Sequence, residues 1–291
     1  MVEQQHIEPV DTPAVEVVDV KKTYGEGIAQ TIAVDGITTQ FARGRFTAIV
    51  GPSGSGKTTL LHLMAGLDTP DSGRVIVDGQ DIAVLPDDAL SDLRRDRIGF
   101  IFQDFNLLPY LTAEQNIELP YTLRRQKPDR AAVRRIADEL GIANRLGHKP
   151  QEMSGGQRQR VAVARALVGR PAVIFADEPT GALDVKSSRQ LLGILRSMAT
   201  DHGQTIIMVT HDPNAAACAD RALVVRDGSI AADIAYPTPA DVVHALEEGN
   251  RTPVPAETRR RGNMSPTLTG KQEGTVTFLA ASKGLGQEAL R

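Results

Sequence analysis

Gly51-Pro52-Ser53-Gly54-Ser55-Gly56-Lys57-Thr58-Thr59 is the stretch from which the fold can be read, and it matches the pattern G-x-x-x-x-G-K-[ST]. It follows an apolar run, Phe46 to Val50, that reads as a buried strand. Three glycines in six positions free the backbone to turn its N–H groups inward around an anion. Gly51, Ser53, Gly54, Ser55 and Gly56 form the cradle, with Thr59 beside it. Lys57 is expected to reach the β- and γ-phosphates of a nucleotide, and Thr58 to offer its hydroxyl to Mg²⁺. A helix beginning near Lys57 points its positive dipole end at the same charge, and its apolar residues Leu60, Leu61, Leu63 and Met64 lead to Gly66.

The composition is that of an ordinary globular chain: 291 residues, 41% hydrophobic and 24% charged. No apolar run approaches the eighteen or so residues of a membrane span, and the N-terminal residues lack the basic and apolar regions of a signal peptide. Work at a membrane is therefore expected to go through another protein. The single cysteine, Cys218, excludes an internal disulfide and a multi-cysteine metal site, which suits a reducing cytoplasm. A net charge of −3 gives no electrostatic case for nucleic acid.

Outward from the loop, residues 1–14 are polar with two prolines and are expected to be loose. Val15 to Val20, Thr31 to Val34, Ile37 to Phe41 and Phe46 to Val50 read as a short antiparallel set separated by turns, Asp35-Gly36 among them. Tyr24 follows the first of these strands, where it either stacks on a base or packs its edge on the sheet. Ile98 to Phe102 is a further strand, ending at Gln103. The loop Asp104 to Leu111 is apolar for an exposed connection, so it is either covered or waiting for a partner. From about residue 104 to 168 the pattern turns helical, and Val133, Ile136, Ala137 and Leu140 share one helix face. Ser154-Gly155-Gly156-Gln157 opens the last helix of this insert. Alone, such a start reads first as a capping turn, although its bare N–H groups also make an anion site.

Val173 to Ala176 is a strand that ends in Asp177 and Glu178, two adjacent carboxylates at the carboxyl edge of the sheet. Their mutual repulsion finds a reason in a cation and a water: Asp177 toward Mg²⁺, Glu178 as general base. Thr205 to Thr210 is another buried strand, and it brings His211 to the same edge to sense the γ-phosphate. A last hairpin and a capped helix run to Glu248. Beyond Gly249 the chain is rich in Pro, Gly, Thr and Arg, with seven basic and three acidic residues, and reads as a disordered tail.

With the loop at Gly51 to Thr58, Gln103, Ser154 to Gln157, Asp177-Glu178 and His211 in this order, the chain resembles the nucleotide-binding subunit of an ABC transporter over about Val15 to Ile230. The stretches Ile98 to Pro109 and Ala176 to Asp184 are similar to the macrolide-exporter and lipoprotein-release ATPases. The resemblance implies an α/β fold of the P-loop NTPase, ABC-type class, with an antiparallel β subdomain and an all-helical insert in one ATPase domain, 15–248. It implies ATP and Mg²⁺ as cofactors. Glu178, His211 and Gln103 become catalytic, and Thr58, Gln103 and Asp177 surround the metal. Tyr24 stacks on adenine, while Ser154, Gly155, Gly156, Gln157 and Asp184 meet the nucleotide of a second copy. Met153 stands where leucine is usual, a near-isosteric change. The implied partners are that second copy and an integral-membrane permease docking near Phe105 to Leu111, with the chain peripheral on the cytoplasmic face. Two alternatives stay open. One is an ATPase that gates a cell-wall or division complex without moving a solute. The other, a soluble ATPase acting on nucleic acid or ribosomes, is disfavoured by a single set of site motifs and the absence of a heptad run or basic face.

Overall fold

The computed structural model describes residues 12–25 and 29–248. Strands β1 (Val15–Tyr24) and β2 (Thr31–Phe41) open the chain, and β3 (Phe46–Val50) leads into α1 (Lys57–Met64). There follow β4 (Ser72–Val77), β5 (Gln80–Asp81), α2 (Asp87–Arg97) and β6 (Ile98–Ile101). The helical insert comprises α3 (Ala113–Leu123), α4 (Arg130–Glu139) and α5 (Gly155–Val168). The chain then returns through β7 (Val173–Asp177), α6 (Val185–His202), β8 (Ile206–Thr210), α7 (Pro213–Ala216), β9 (Arg221–Arg226), β10 (Ser229–Ala235) and α8 (Pro239–Glu248).

Two sheets result, ordered β2-β1-β4-β5 and β10-β9-β3-β8-β7-β6. The first is antiparallel throughout. In the second, β3 lies between β8 and β9 and pairs with both in parallel, so it is not part of the antiparallel set as expected from its neighbours in sequence. The reason is visible in its burial: every residue of β3 is buried, as a strand covered on both faces requires, whereas β1 alternates. Phe46, Ala48 and Val50 face the core formed with the helical insert, α6 and α8, while Ile49 faces the core shared with α1 and the antiparallel sheet.

The expected break between Thr31 to Val34 and Ile37 to Phe41 is also absent. Asp35-Gly36 is a bulge inside one strand, because β1 pairs Val20 with Ile37 and Lys22 with Val34, leaving two residues opposite one. Gly36 takes φ 67°, and the Asp35 N–H donates to the Gly228 carbonyl at 2.9 Å, tying the antiparallel sheet to the β9–β10 hairpin. Order begins ahead of Val15: Ala14 is buried and exchanges backbone hydrogen bonds with Phe41 and Asp78. The remaining N-terminal residues, 1–11, and the expected disordered tail, 249–291, lie outside the described residues.

In the loop between β6 and α3, Phe105 is buried, which corrects its expected place on a docking surface. Its ring lies 4.9 Å from the Arg158 guanidinium, and its carbonyl accepts from Arg165 at 2.9 Å. The residues left outward are Leu108, 47% exposed, and Tyr110, 85% exposed. Asn116 holds this loop on α3: fully buried, it accepts from the Leu108 N–H at 2.8 Å and donates to the carbonyls of Leu108 and Thr112 at 3.1 and 3.0 Å. Removing it leaves those part-buried backbone groups without their side-chain partner. Asn116→Ala is expected to cost about 2 kcal/mol of stability in denaturant melts, and an unchanged midpoint would contradict its role as the pin of the loop.

Candidate active site

The phosphate loop is fixed by what surrounds it. A Cβ at Gly56 would stand 1.9 Å from the Ala33 carbonyl oxygen of β2, and one at Gly51 would stand 2.1 Å from that of Val225 in β9. Gly56 also holds φ 95° as the residue before α1. Gly54 differs: at φ 78° its conformation requires glycine, but no neighbour crowds it. The Ser55 hydroxyl is buried without a hydrogen-bond partner, an unmet donor inside the cradle.

Lys57 is buried, and its Nζ donates to the Pro52 carbonyl of the same loop at 2.7 Å. Burial lowers its pKa below the usual lysine value, against the opposing pull of Glu178 and Asp177. One helical position on, the Thr58 hydroxyl lies 3.4 Å from Asp177 Oδ1. His62, one turn further along α1, places Nε2 4.0 Å from Asp177 Oδ2. Burial raises the Asp177 pKa and the adjacent Glu178 adds to this, while His62, Thr58 and Lys57 work the other way.

Glu178 occupies a left-handed conformation, φ 42°, held by its N–H donating to the Val209 carbonyl at 3.0 Å and its carbonyl accepting from Gly181 at 2.9 Å. Its Oε1 pairs with His211 Nδ1 at 3.0 Å. Gln103 leans on the same turn, since a Cβ at Gly181 would meet its Nε2 at 2.8 Å. A cavity of 620 Å³ borders Glu178, Gly181, Thr210 and His211. Strand ends β3, β7 and β8 thus bring Lys57, Thr58, Asp177, Glu178 and His211 together, with Gln103 from the end of β6 alongside.

Other expected site residues stand apart from this group. Ser154 caps α5 in a reciprocal box with Gln157, and the nearest neighbours of Gly155 and Gly156 are Phe105, Ala182, Leu183 and Ser187 rather than the loop. Asp184 caps α6, accepting from the Ser187 N–H at 2.9 Å and its hydroxyl at 2.6 Å. Tyr24 is the last residue of β1, 44% exposed, its hydroxyl donating to Asp68 at 2.5 Å with the Lys22 ammonium 5.3 Å from the ring centre. Sequence reading missed His62, although its i+4 spacing from Thr58 was a usable signal. It also missed Gln159 of α5, fully buried, whose Nε2 donates to the Pro179 carbonyl at 2.8 Å.

Known proteins resemble this chain closely. A family model described as ABC transporter matches residues 34–181. The macrolide export ATP-binding/permease protein MacB of Marinobacter nauticus is 41% identical over 241 residues, 82% of this chain and 37% of that protein. The chain thus spans little more than a third of that relative's length. The uncharacterized ABC transporter ATP-binding protein YvrO of Bacillus subtilis is 46% identical over 217 residues, 74% of this chain and 94% of that one. Among solved structures, the dimeric post-hydrolysis state of the ATP-binding cassette MJ0796 bound to ADP and Pi matches with a TM-score of 0.70 and 38% identity, covering 77% of this chain and 99% of that one.

The raised Asp177 pKa has a sign that can be measured. The folded protein holds this proton more tightly than the unfolded chain, so the associated stability is present below the ordinary aspartate pKa and is lost as pH rises through the raised value. Asp177→Asn is therefore expected to melt above the parent at neutral pH without nucleotide, the gap closing as the buffer is acidified. A lower melting temperature at neutral pH would show that Thr58, His62 and Lys57 outweigh the burial cost.

Proposed function

The chain belongs to the ABC transporter family, and we propose that it is the ATP-hydrolysing subunit that drives a membrane permease, two copies closing on ATP and parting after hydrolysis. The observation behind this reading is the single edge on which a buried lysine in a glycine cradle, a hydroxyl–carboxylate pair and a glutamate–histidine pair meet.

The loop residues suit a triphosphate. Its backbone amides lie at a helix N-terminus, the Ser55 hydroxyl lacks a partner, and Lys57 spends its ammonium on a carbonyl of its own loop. Among the described residues no three His, Cys, Asp or Glu side chains converge as a metal site. The oxygen donors the chain brings together here are instead the Thr58 hydroxyl and the Asp177 carboxylate, 3.4 Å apart, hard ligands of the kind Mg²⁺ takes when phosphates complete its shell, and we place the Gln103 amide, which leans on the Gly181 turn, as a third. Mg²⁺, when bound, offsets charge on the β- and γ-phosphates.

Glu178 then serves as general base toward water, oriented by its left-handed backbone and its pairing with His211. His211, exposed beside the cavity and paired with Glu178, is read as the group that follows the γ-phosphate. Tyr24, anchored through Asp68, offers a ring for adenine. Ser154, Gly155, Gly156 and Gln157 present the α5 N-terminus to the nucleotide of the second copy, and Asp184 lies at the same junction. The dimeric MJ0796 structure supports this arrangement by similarity. Among the described residues no helix is long and apolar enough to cross a membrane. We read the permease as a partner on the membrane side, with Leu108 and Tyr110 as its footing. The name of the MacB relative, which joins ATP binding and permease, supports that coupling.

Glu178→Gln is expected to bind ATP and dimerise on gel filtration while turning over at least ~10²-fold more slowly; near-normal turnover removes Glu178 from this role. Lys57→Ala should lose ATP binding by calorimetry, and retained affinity would contradict the phosphate-loop assignment.

A further inference from the structure

We propose that Gln159 is a positioning residue that sets the aim of the Glu178 carboxylate from the helix carrying the Ser154 start. This rests on the reading of Glu178 as general base. Glu178-Pro179-Thr180-Gly181 is a turn closed by the Gly181 N–H donating to the Glu178 carbonyl at 2.9 Å. That bond leaves the Pro179 carbonyl unclaimed. In such turns the peptide after the second residue has two orientations, related by a flip that redirects its neighbours. Gln159 takes this carbonyl at 2.8 Å from a fully buried position, so one orientation is held from the interior.

The same amide has a second, telling atom. Gln159 Oε1 is buried without a partner. A residue kept for packing alone would not need an amide here, since an apolar side chain of the same volume leaves no acceptor stranded. The amide makes sense if its one bond is worth more to the turn than the orphaned oxygen costs. Gln159 also lies on the helix whose Arg165 holds the Phe105 and Asn106 carbonyls at 2.9 and 2.5 Å, next to the outward Leu108 and Tyr110. A displacement of that loop is therefore passed along α5 to the Pro179 carbonyl and from there to Glu178.

The test uses the full-length chain with steady-state ATPase assays, thermal melts and two variants. Gln159→Leu keeps the volume but not the donor; it is expected to lower kcat about 10-fold, with KM for ATP within about two-fold of the parent. Gln159→Glu sets a carboxylate against the Pro179 carbonyl when ionised, but donates a hydrogen bond when protonated, and burial favours protonation. Its turnover relative to the parent at the same pH should rise several-fold between about pH 8 and pH 6. A Leu variant with unchanged kcat, a loss of turnover that only tracks the unfolded fraction, or a Glu variant whose profile parallels the parent overturns the proposal. Should the Leu variant fail to fold, the Glu variant's pH response decides. An active Glu178→Gln variant would remove the general-base reading itself, whereas an inactive one beside a normal Gln159→Leu removes this inference alone.

Discussion

Two carbonyl oxygens, those of Ala33 and Val225, stand so close to the phosphate loop that neither Gly56 nor Gly51 has room for one more carbon. Every other feature of the site depends on this contact. One oxygen comes from the antiparallel sheet and the other from the central sheet, and the Gly228 N–H donates to the Ser55 carbonyl at 3.1 Å to complete the clamp. The loop is thus pinched between two layers. Its amides point at a fixed place, and Lys57 is held in a buried setting that water would otherwise fill. The bulge at Asp35-Gly36 belongs to the same arrangement, because it lets β2 bend onto the β9–β10 hairpin that supplies the opposing jaw.

Around that fixed point the charges are not at ease. Asp177 is harder to ionise, and Lys57 easier to neutralise, than either is in water, and Glu178 sits in a backbone conformation that non-glycine residues avoid. The two charge costs would be offset by the phosphate ligand and cation proposed above, whereas the Glu178 backbone is held by its own hydrogen bonds. The fold keeps the site primed for that ligand by burying the partners and by tying Glu178 from three directions: Val209, Gly181 and His211.

Much of this was legible in the chain itself. The phosphate loop, the strand ending in Asp177-Glu178 and the capping box at Ser154 rest on local rules of glycine geometry, strand burial and helix starts, and local rules show in sequence. What was hidden depends on distant contacts. The assignment of β3 to the antiparallel set followed chain proximity, although five consecutive buried residues already spoke for a central strand. Asp35-Gly36 has the composition of a turn, and only the register with β1 shows it to be a bulge. Phe105 counted as outward because its neighbours are, yet Arg158 and Arg165, some fifty to sixty positions later, draw it in. Gln159 passes for another polar residue on a helix until Pro179, twenty residues away, comes to meet it.

Cys218, the chain's one thiol, borders the cavity that also reaches Glu178 and His211, half-buried with its Sγ donating to the Asn214 carbonyl at 3.4 Å. Burial lifts its pKa above the usual thiol value, so little thiolate is present near neutrality to attack an alkylating reagent. Toward maleimide it is therefore slower than an exposed, unperturbed thiol. A cysteine introduced at an outward position such as Tyr110 would take a spin label or dye ahead of it, which opens the spacing between copies to direct spectroscopic measurement without first removing a natural residue.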